Sequence, residues 1–125
     1  MPQATIELPD TVPAAQRAAI ADAVNTGIAE GLGVSPDDRF QVVHALPAES
    51  FFVDPHFMGG PREATVFVRI LMVRGYTPDE KRHMYACVAA RMEDAGVRPE
   101  DVFIRVIENG GEDWYTGRSS TPPAD

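Results

Sequence analysis

Apolar and polar residues alternate over residues 4–8 (ATIEL), as in a half-buried strand, and Pro9-Asp10 ends the alternation. From residue 12 to 32 the period changes. The segment is rich in Ala, and Ile20, Val24, Ile28 and Leu32 recur every four residues along one face, which predicts an amphipathic helix. It is expected to begin near Asp10 or Thr11 and to be stopped by Gly31 and Gly33. Residues 40–46 read as a second strand, and residues 47–62, with three Pro and two Gly, as a loose connection. Residues 64–73 (ATVFVRILMV) are the most apolar strand candidate. Thr77, Pro78 and Glu80 then fall at the cap, first and third positions of a second helix, a capping box with proline where its missing N–H costs nothing. That helix is predicted to run to about Ala95, with Gly96 suited to a left-handed closing position. Residues 102–107 form the fourth strand candidate. Beyond Asn109 lies a Gly-, Ser- and Pro-rich tail carrying Trp114, with residues 119–125 expected to be mobile.

Residues 33–43 (GVSPDDRFQVV) and 96–106 (GVRPEDVFIRV) repeat Gly, Val, Pro, Asp, Phe and Val at a constant spacing of 63. A repeat of this size is too short for a solenoid, so two copies are expected to share one sheet and one core around a pseudo-two-fold axis. The chain then reads as a single domain over residues 1–125: a first β-α-β unit at about 2–46, a connection at 47–63, a second unit at about 64–108 and a tail at 109–125. The expected class is α/β (α+β), a tandem β-α-β repeat with a four-stranded mixed sheet and both helices on one face. Residues 64–73 are apolar on both faces. The uncovered side of the sheet is therefore predicted to meet another subunit, most economically in a small closed ring.

Composition narrows the function. The formal charge of −8, from 19 acidic against 11 basic side chains, argues against nucleic-acid or anionic-membrane partners, so any arginine serving an anionic ligand must act locally. One cysteine, Cys87, rules out an internal disulfide, and the amino terminus shows no leader pattern. Together with the lack of an apolar run near 18 residues, this predicts a cytoplasmic protein. His44, His56 and His83 fit no ligand spacing, so no metal is expected, and Cys87 is expected as a small buried residue on the core face of the second helix. Asp54-Pro55-His56 reads as turn chemistry, and Gly59-Gly60-Pro61, with no helix after it, as no phosphate loop.

Pro2 follows Met1 directly. Removal of the methionine would leave a secondary amine, a group no side chain offers, with a pKa near the ~7.7–8.0 of an α-amino group or somewhat above it. An apolar or cationic pocket can lower that value into the general-base range. The plain alternative is that Pro2 only begins a strand.

Pro2 has company in the run Asp38-Arg39-Phe40-Gln41-Val42-Val43-His44, in Arg74 at the end of the third strand, and in Glu108-Asn109 with Asp113-Trp114 and Gly117. Together these resemble the malonate semialdehyde decarboxylase family of the tautomerase superfamily, over about residues 2–118. The resemblance implies two β-α-β units per chain, a homotrimer with its sheets inward, and catalysis without cofactor by an amino-terminal proline acting on a small carboxylate substrate. By position it implies that Pro2 is the catalytic proline, Asp38 the active-site aspartate, Arg74 the first of two substrate-binding arginines and Trp114 a tryptophan close to the site. The second arginine is replaced by Tyr76, so a paired-guanidinium grip on a carboxylate is not implied. Plainer roles exist for each: Asp38, like Asp101, suits a turn; Arg74 suits a surface pair with Asp79 or Glu80; Trp114 suits a cover for a neighbour's apolar surface. The expected activity is decarboxylation of a small oxo acid, with keto-enol tautomerisation or hydration on the same scaffold as alternatives. A trimeric binding protein without turnover is the remaining reading.

Overall fold

The computed structural model describes residues 2–117. Met1 and the tail residues 119–125, expected to be mobile, lie outside the described residues. Two β-α-β units build one sheet: β1 (Gln3–Pro9), α1 (Ala14–Leu32) and β2 (Gln41–Leu46), then β3 (Val66–Val73), α2 (Pro78–Asp94) and β4 (Val102–Asn109). The strand order is β2-β1-β3-β4. Each unit's own strands pair in parallel, and the units join through the antiparallel pair β1 and β3 at the centre.

Strand alternation decides the faces. Ala4, Ile6 and Leu8 of β1 and Val66, Val68, Ile70 and Met72 of β3 are buried under the helices, with Val43, Ala45, Val102, Ile104 and Val106 packed against them from the outer strands. From α1 come Ile20, Val24 and Ile28, and from α2 Met84, Val88 and Met92, each set at a spacing of four. The opposite face carries Gln3, Thr5 and Glu7, then Phe67, Arg69 and Leu71, then Phe103, Arg105 and Ile107, and no helix of the described residues lies on it. Among the described residues no helix is long and apolar enough to cross a membrane.

Helix α2 starts as its sequence predicts: the Glu80 N–H donates to Thr77 Oγ1 at 3.1 Å and the Thr77 N–H to Glu80 Oε1 at 2.9 Å, with Pro78 in the first turn. It closes with the Val97 N–H on the Met92 carbonyl at 3.0 Å and Gly96 at φ 91°. Helix α1 begins later than expected, at Ala14, because Pro13 follows Val12 and disfavours helical geometry there. Neither Asp10 nor Thr11 caps it; Arg17 instead donates to the Val12 and Asp10 carbonyls at 2.8 and 3.1 Å.

Two further expectations are corrected. Gly31 does not stop α1; the helix runs through it and ends at Gly33. Gly31 and Gly27 are contact points instead: a Cβ at Gly31 would lie 2.3 Å from Met84 Cα, and one at Gly27 2.5 Å from Val88 Cα. Cys87 is only half-buried, with its Sγ 3.8 Å from His83 Nε2, since Met84, Val88 and Met92 take the inward positions and Cys87 falls beside that stripe.

The strand bounds also shift. β3 begins at Val66 rather than at residue 64, because the N–H groups of Glu63 and Ala64 donate to Asp101 Oδ1 at 2.8 and 3.1 Å instead of entering the ladder. Asp101 is 3% exposed, and it holds the end of the connecting segment against the start of β4. Within that segment Asp54 Oδ1 accepts from the N–H groups of His56 and Phe57 at 2.9 and 3.2 Å, the turn its sequence suggested. Across the helices, Arg91 makes two bonds to Glu30 at 2.7 and 3.0 Å, and that hydrogen bonding holds the Glu30 carboxyl below its usual range.

The helix contact is directly testable. Gly31→Ala should gain up to about 1 kcal/mol of helix propensity and lose more, about 1–3 kcal/mol, to crowding against Met84. Urea denaturation should therefore show a lower midpoint; an unchanged or higher one would mean the helices can separate freely at Gly31.

Candidate active site

Pro2 is buried immediately ahead of β1. The first strands of the molecule begin together: Ala4 stands opposite Gln41, and the Ala4 N–H donates to the Phe40 carbonyl at 3.0 Å. Asp38, half-buried, therefore lies just before β2 at the same end as Pro2. On the other side Gln3 stands opposite Leu71 of the antiparallel β3, so the chain of β3 leaves the sheet here, through Arg74. Gly75, at φ 140°, turns it from strand to helix, a backbone shape that side chains resist. Tyr76 follows, half-buried against the core, directly before the Thr77 cap.

The end of β4 completes the arrangement. Asn109 stands opposite Val73, and its carbonyl accepts the Arg74 N–H at 2.9 Å. Its side-chain Oδ1 accepts the Trp114 indole N–H at 2.8 Å. One asparagine thus fixes both the arginine's backbone and the tryptophan's ring. Its organising role was missed in the sequence, although a strand-end Asn before Gly110-Gly111 is a recognisable turn signal. The turn itself is held by the Gly110 N–H on Asp113 Oδ2 at 2.8 Å. Beside it, Lys81 of α2 pairs with Glu108 Oε1 at 2.9 Å.

Pro2, Asp38, Arg74, Tyr76 and Trp114, scattered along the chain, all fall at this one end of the sheet. The alternative surface pairing of Arg74 is not found: Glu80 serves the cap, Asp79 pairs with Arg82, and Arg74 makes no ion pair among the described residues. Phe40 stands 54% exposed at the same end, the kind of apolar surface that a substrate or another chain covers. A cavity of about 470 Å³ lies elsewhere, on the helix-free face at the opposite end of the strands, and none of the five lines it. Among the described residues no cluster of three or more His, Cys, Asp or Glu could hold a metal.

The two units are not chemically equal. Ala4 pairs with Gln41 in the first and Val68 with Ile104 in the second, so β3 follows β1 by 64 residues while β4 follows β2 by 63. Val66 is then the counterpart of Pro2, and Asp101 that of Asp38. The plain turn role fits Asp101 in a modified form, since its carboxylate is occupied by the backbone leading into β3. Asp38 stands at the equivalent place beside Pro2.

The probable tautomerase YusQ of Bacillus subtilis (strain 168) is 31% identical over 96 residues, 75% of this chain and 76% of that protein. The crystal structure of FG41 malonate semialdehyde decarboxylase inhibited by 3-bromopropiolate superposes with a TM-score of 0.89 at 30% identity, over 94% of this chain and 92% of that one. A fused 4-OT, described as a wild-type symmetric trimer, shares the fold alone, with a TM-score of 0.79 at 13% identity over 95% and 94% of the two chains. The family model described as tautomerase enzyme matches residues 38–117, from Asp38 through the β4 tail, and the chain belongs to that family: it is an enzyme of the tautomerase superfamily.

Proposed function

We propose that this enzyme is a cofactor-free decarboxylase of a small 3-oxo acid, of the malonate semialdehyde decarboxylase type, and that Pro2, freed by removal of Met1, is its acid–base group. The observation that carries the reading is the strand register, which gathers Pro2, Asp38, Arg74 and Trp114 at one sheet end. The likeness to a malonate semialdehyde decarboxylase inhibited by 3-bromopropiolate supports a three-carbon carboxylate there.

In this reading the protonated Pro2 amine donates a hydrogen bond to the substrate carbonyl oxygen, and Arg74 holds the carboxylate by a charge-assisted bond. Held out of plane with the carbonyl, the carboxylate leaves as carbon dioxide. The electrons of the broken carbon–carbon bond pass into an enolate, which Pro2 stabilises, and a proton from Pro2 or solvent then returns to carbon. Asp38 accepts a hydrogen bond from water or from a polar group of the substrate. The second unit offers a parallel for this role: Asp101, the counterpart of Asp38, accepts from the N–H groups of Glu63 and Ala64. Trp114, fixed by Asn109, gives the site an apolar wall.

Keto-enol tautomerisation is the second reading, and Tyr76 favours it. A phenol offers one donor and no charge where the decarboxylase pattern has a second arginine, so a carboxylate is held less firmly and a larger, less charged substrate is tolerated. The relative named as a tautomerase points the same way. A neutral Pro2 would then remove the α-proton and return it to another atom. The helix-free face, with Ile107 and Val42 about half exposed, supports assembly into a homotrimer with the sheets inward and the sites at subunit boundaries.

Intact mass should show Met1 removed, and Pro2→Ala should lower turnover of oxo acids by tenfold or more while the circular dichroism spectrum is retained. Turnover equal to the parent's would reduce Pro2 to the first residue before a strand. Sedimentation at micromolar concentration should give a trimer, and a monomer would remove the boundary at which the site is placed. The parent should decarboxylate malonate semialdehyde weakly and tautomerise phenylpyruvate measurably, and Tyr76→Arg should shift the ratio toward decarboxylation. An unchanged ratio in paired assays of parent and variant would show that position 76 does not contact substrate.

A further inference from the structure

The last residue of β4 does two things that a strand end need not do. The Asn109 carbonyl accepts the Arg74 N–H at 2.9 Å, and the side-chain Oδ1 accepts the Trp114 indole N–H at 2.8 Å. Between Asn109 and Trp114 the chain is closed on itself: the Gly110 N–H donates to Asp113 Oδ2 at 2.8 Å, and the Asp113 N–H to the Gly110 carbonyl at 3.1 Å. Trp114 therefore leaves a locked turn, and its ring is tied back across that turn to the strand. An indole has a single donor, and here Asn109 takes it. The faces of the half-buried ring are left for apolar contact.

The residue type fits this place. Leucine would fill a similar volume and accept nothing. Aspartate would accept the indole, but it would set a negative charge beside Arg74, which directly follows its ladder partner Val73 and is the cation assigned to the substrate carboxylate. A neutral amide gives the acceptor without the charge. The preceding residue braces the same segment from the helix side: Glu108 pairs with Lys81 of α2 at 2.9 Å. The stretch from Arg74 to Lys81, which carries Tyr76, is thus held to the end of β4 at both of its ends.

We propose that Asn109 is a positioning residue that sets substrate specificity: by holding Trp114 it fixes an apolar wall for the part of an oxo acid that lies away from the carboxylate. An aryl-substituted substrate then depends on Asn109 more than a small one does. The proposal rests on the reading of this sheet end as the active site and deepens it. It differs from the plainer role of Trp114 as cover for a neighbouring subunit, in which Asn109 would serve assembly and not ligand binding.

The test separates binding, chemistry and assembly. Trp114 is the only tryptophan of the chain, so its indole N–H gives a single resonance in isotope-labelled protein. That N–H should exchange slowly with solvent in the parent, faster by about tenfold or more in Asn109→Leu, and slowly again in Asn109→Asp, which keeps the acceptor. In calorimetric titration Asn109→Leu should bind phenylpyruvate about threefold to tenfold more weakly than the parent, the share of one hydrogen bond. Pyruvate, which has no ring, should bind within about twofold of the parent. The turnover number for phenylpyruvate should stay within about threefold, because Pro2 and the backbone bond to Arg74 are untouched, and sedimentation should match the parent's. Unchanged phenylpyruvate affinity in Asn109→Leu, rapid indole exchange in the parent, or no binding of phenylpyruvate at millimolar concentration would overturn the proposal. Equal weakening of pyruvate, or loss of the assembly, would assign Asn109 to the framework and overturn it as well. The acid–base reading fails separately, on turnover by Pro2→Ala equal to the parent's, and these binding results would then still stand.

Discussion

The antiparallel pairing of β1 with β3 is the contact on which the rest of this molecule depends. Side chains alternate along a strand with a period of two, so the pairing of Gln3 with Leu71 decides which residues the central strands turn toward the helices. A slip of one residue would put Phe67, Arg69 and Leu71 into the core and Val68 and Ile70 outside it. The same pairing brings the start of β1 beside the end of β3, and hence Pro2 beside the chain that carries Arg74 and Tyr76. Core and candidate site are therefore fixed by one register, which also explains why the candidate residues sit on strand ends rather than in the long connection.

A repeated unit begins with two equivalent ends, and the structure shows how one of them was closed. At the start of β3 the approaching segment gives its backbone N–H groups to Asp101, which is thereby buried and satisfied. At the start of β1 the counterpart of Val66 is Pro2, whose nitrogen in peptide linkage carries no N–H, so the entry to this strand differs from that of β3. The asymmetry that the proposed chemistry needs thus comes from what precedes each first strand, while the β-α-β scaffold stays common to both.

Much of this was legible in the sequence, for identifiable reasons. The repeat, the strand alternation, the Thr77 capping box and the spacing of Met84, Val88 and Met92 are local patterns whose physics acts within a few residues, and the structure follows them. Gly31 misled because a helix stop and a close helix–helix contact call for the same residue, and only the position of Met84 in space separates the two. The start of β3 misled because its first amides were claimed by an aspartate 37 residues away from Ala64. At the site, Pro2, Asp38, Arg74, Tyr76 and Trp114 could be named through family resemblance, but their gathering depends on strand register. The holding role of Asn109 and the cavity on the helix-free face went unread because their contacts arise between β4 and the tail and between the connection and the sheet.

The proposed chemistry places two demands on one amine, and the surrounding charges decide how they are met. Decarboxylation needs Pro2 protonated, whereas proton abstraction needs it neutral. A nearby guanidinium lowers an amine's proton affinity, and a nearby carboxylate raises it. Arg74 and Asp38 act in opposite directions at this sheet end, while two other cations there are already engaged, Arg39 with Asp22 and Lys81 with Glu108. With tyrosine at position 76, this sheet end has one guanidinium fewer than the decarboxylase pattern, and the grip on a carboxylate weakens. A second arginine would have tightened that grip and pushed the amine toward its neutral form. In the proposed site, therefore, the missing guanidinium weakens carboxylate orientation, and a substrate bound mainly through its carbonyl would suit the arrangement better than one bound mainly through its carboxylate.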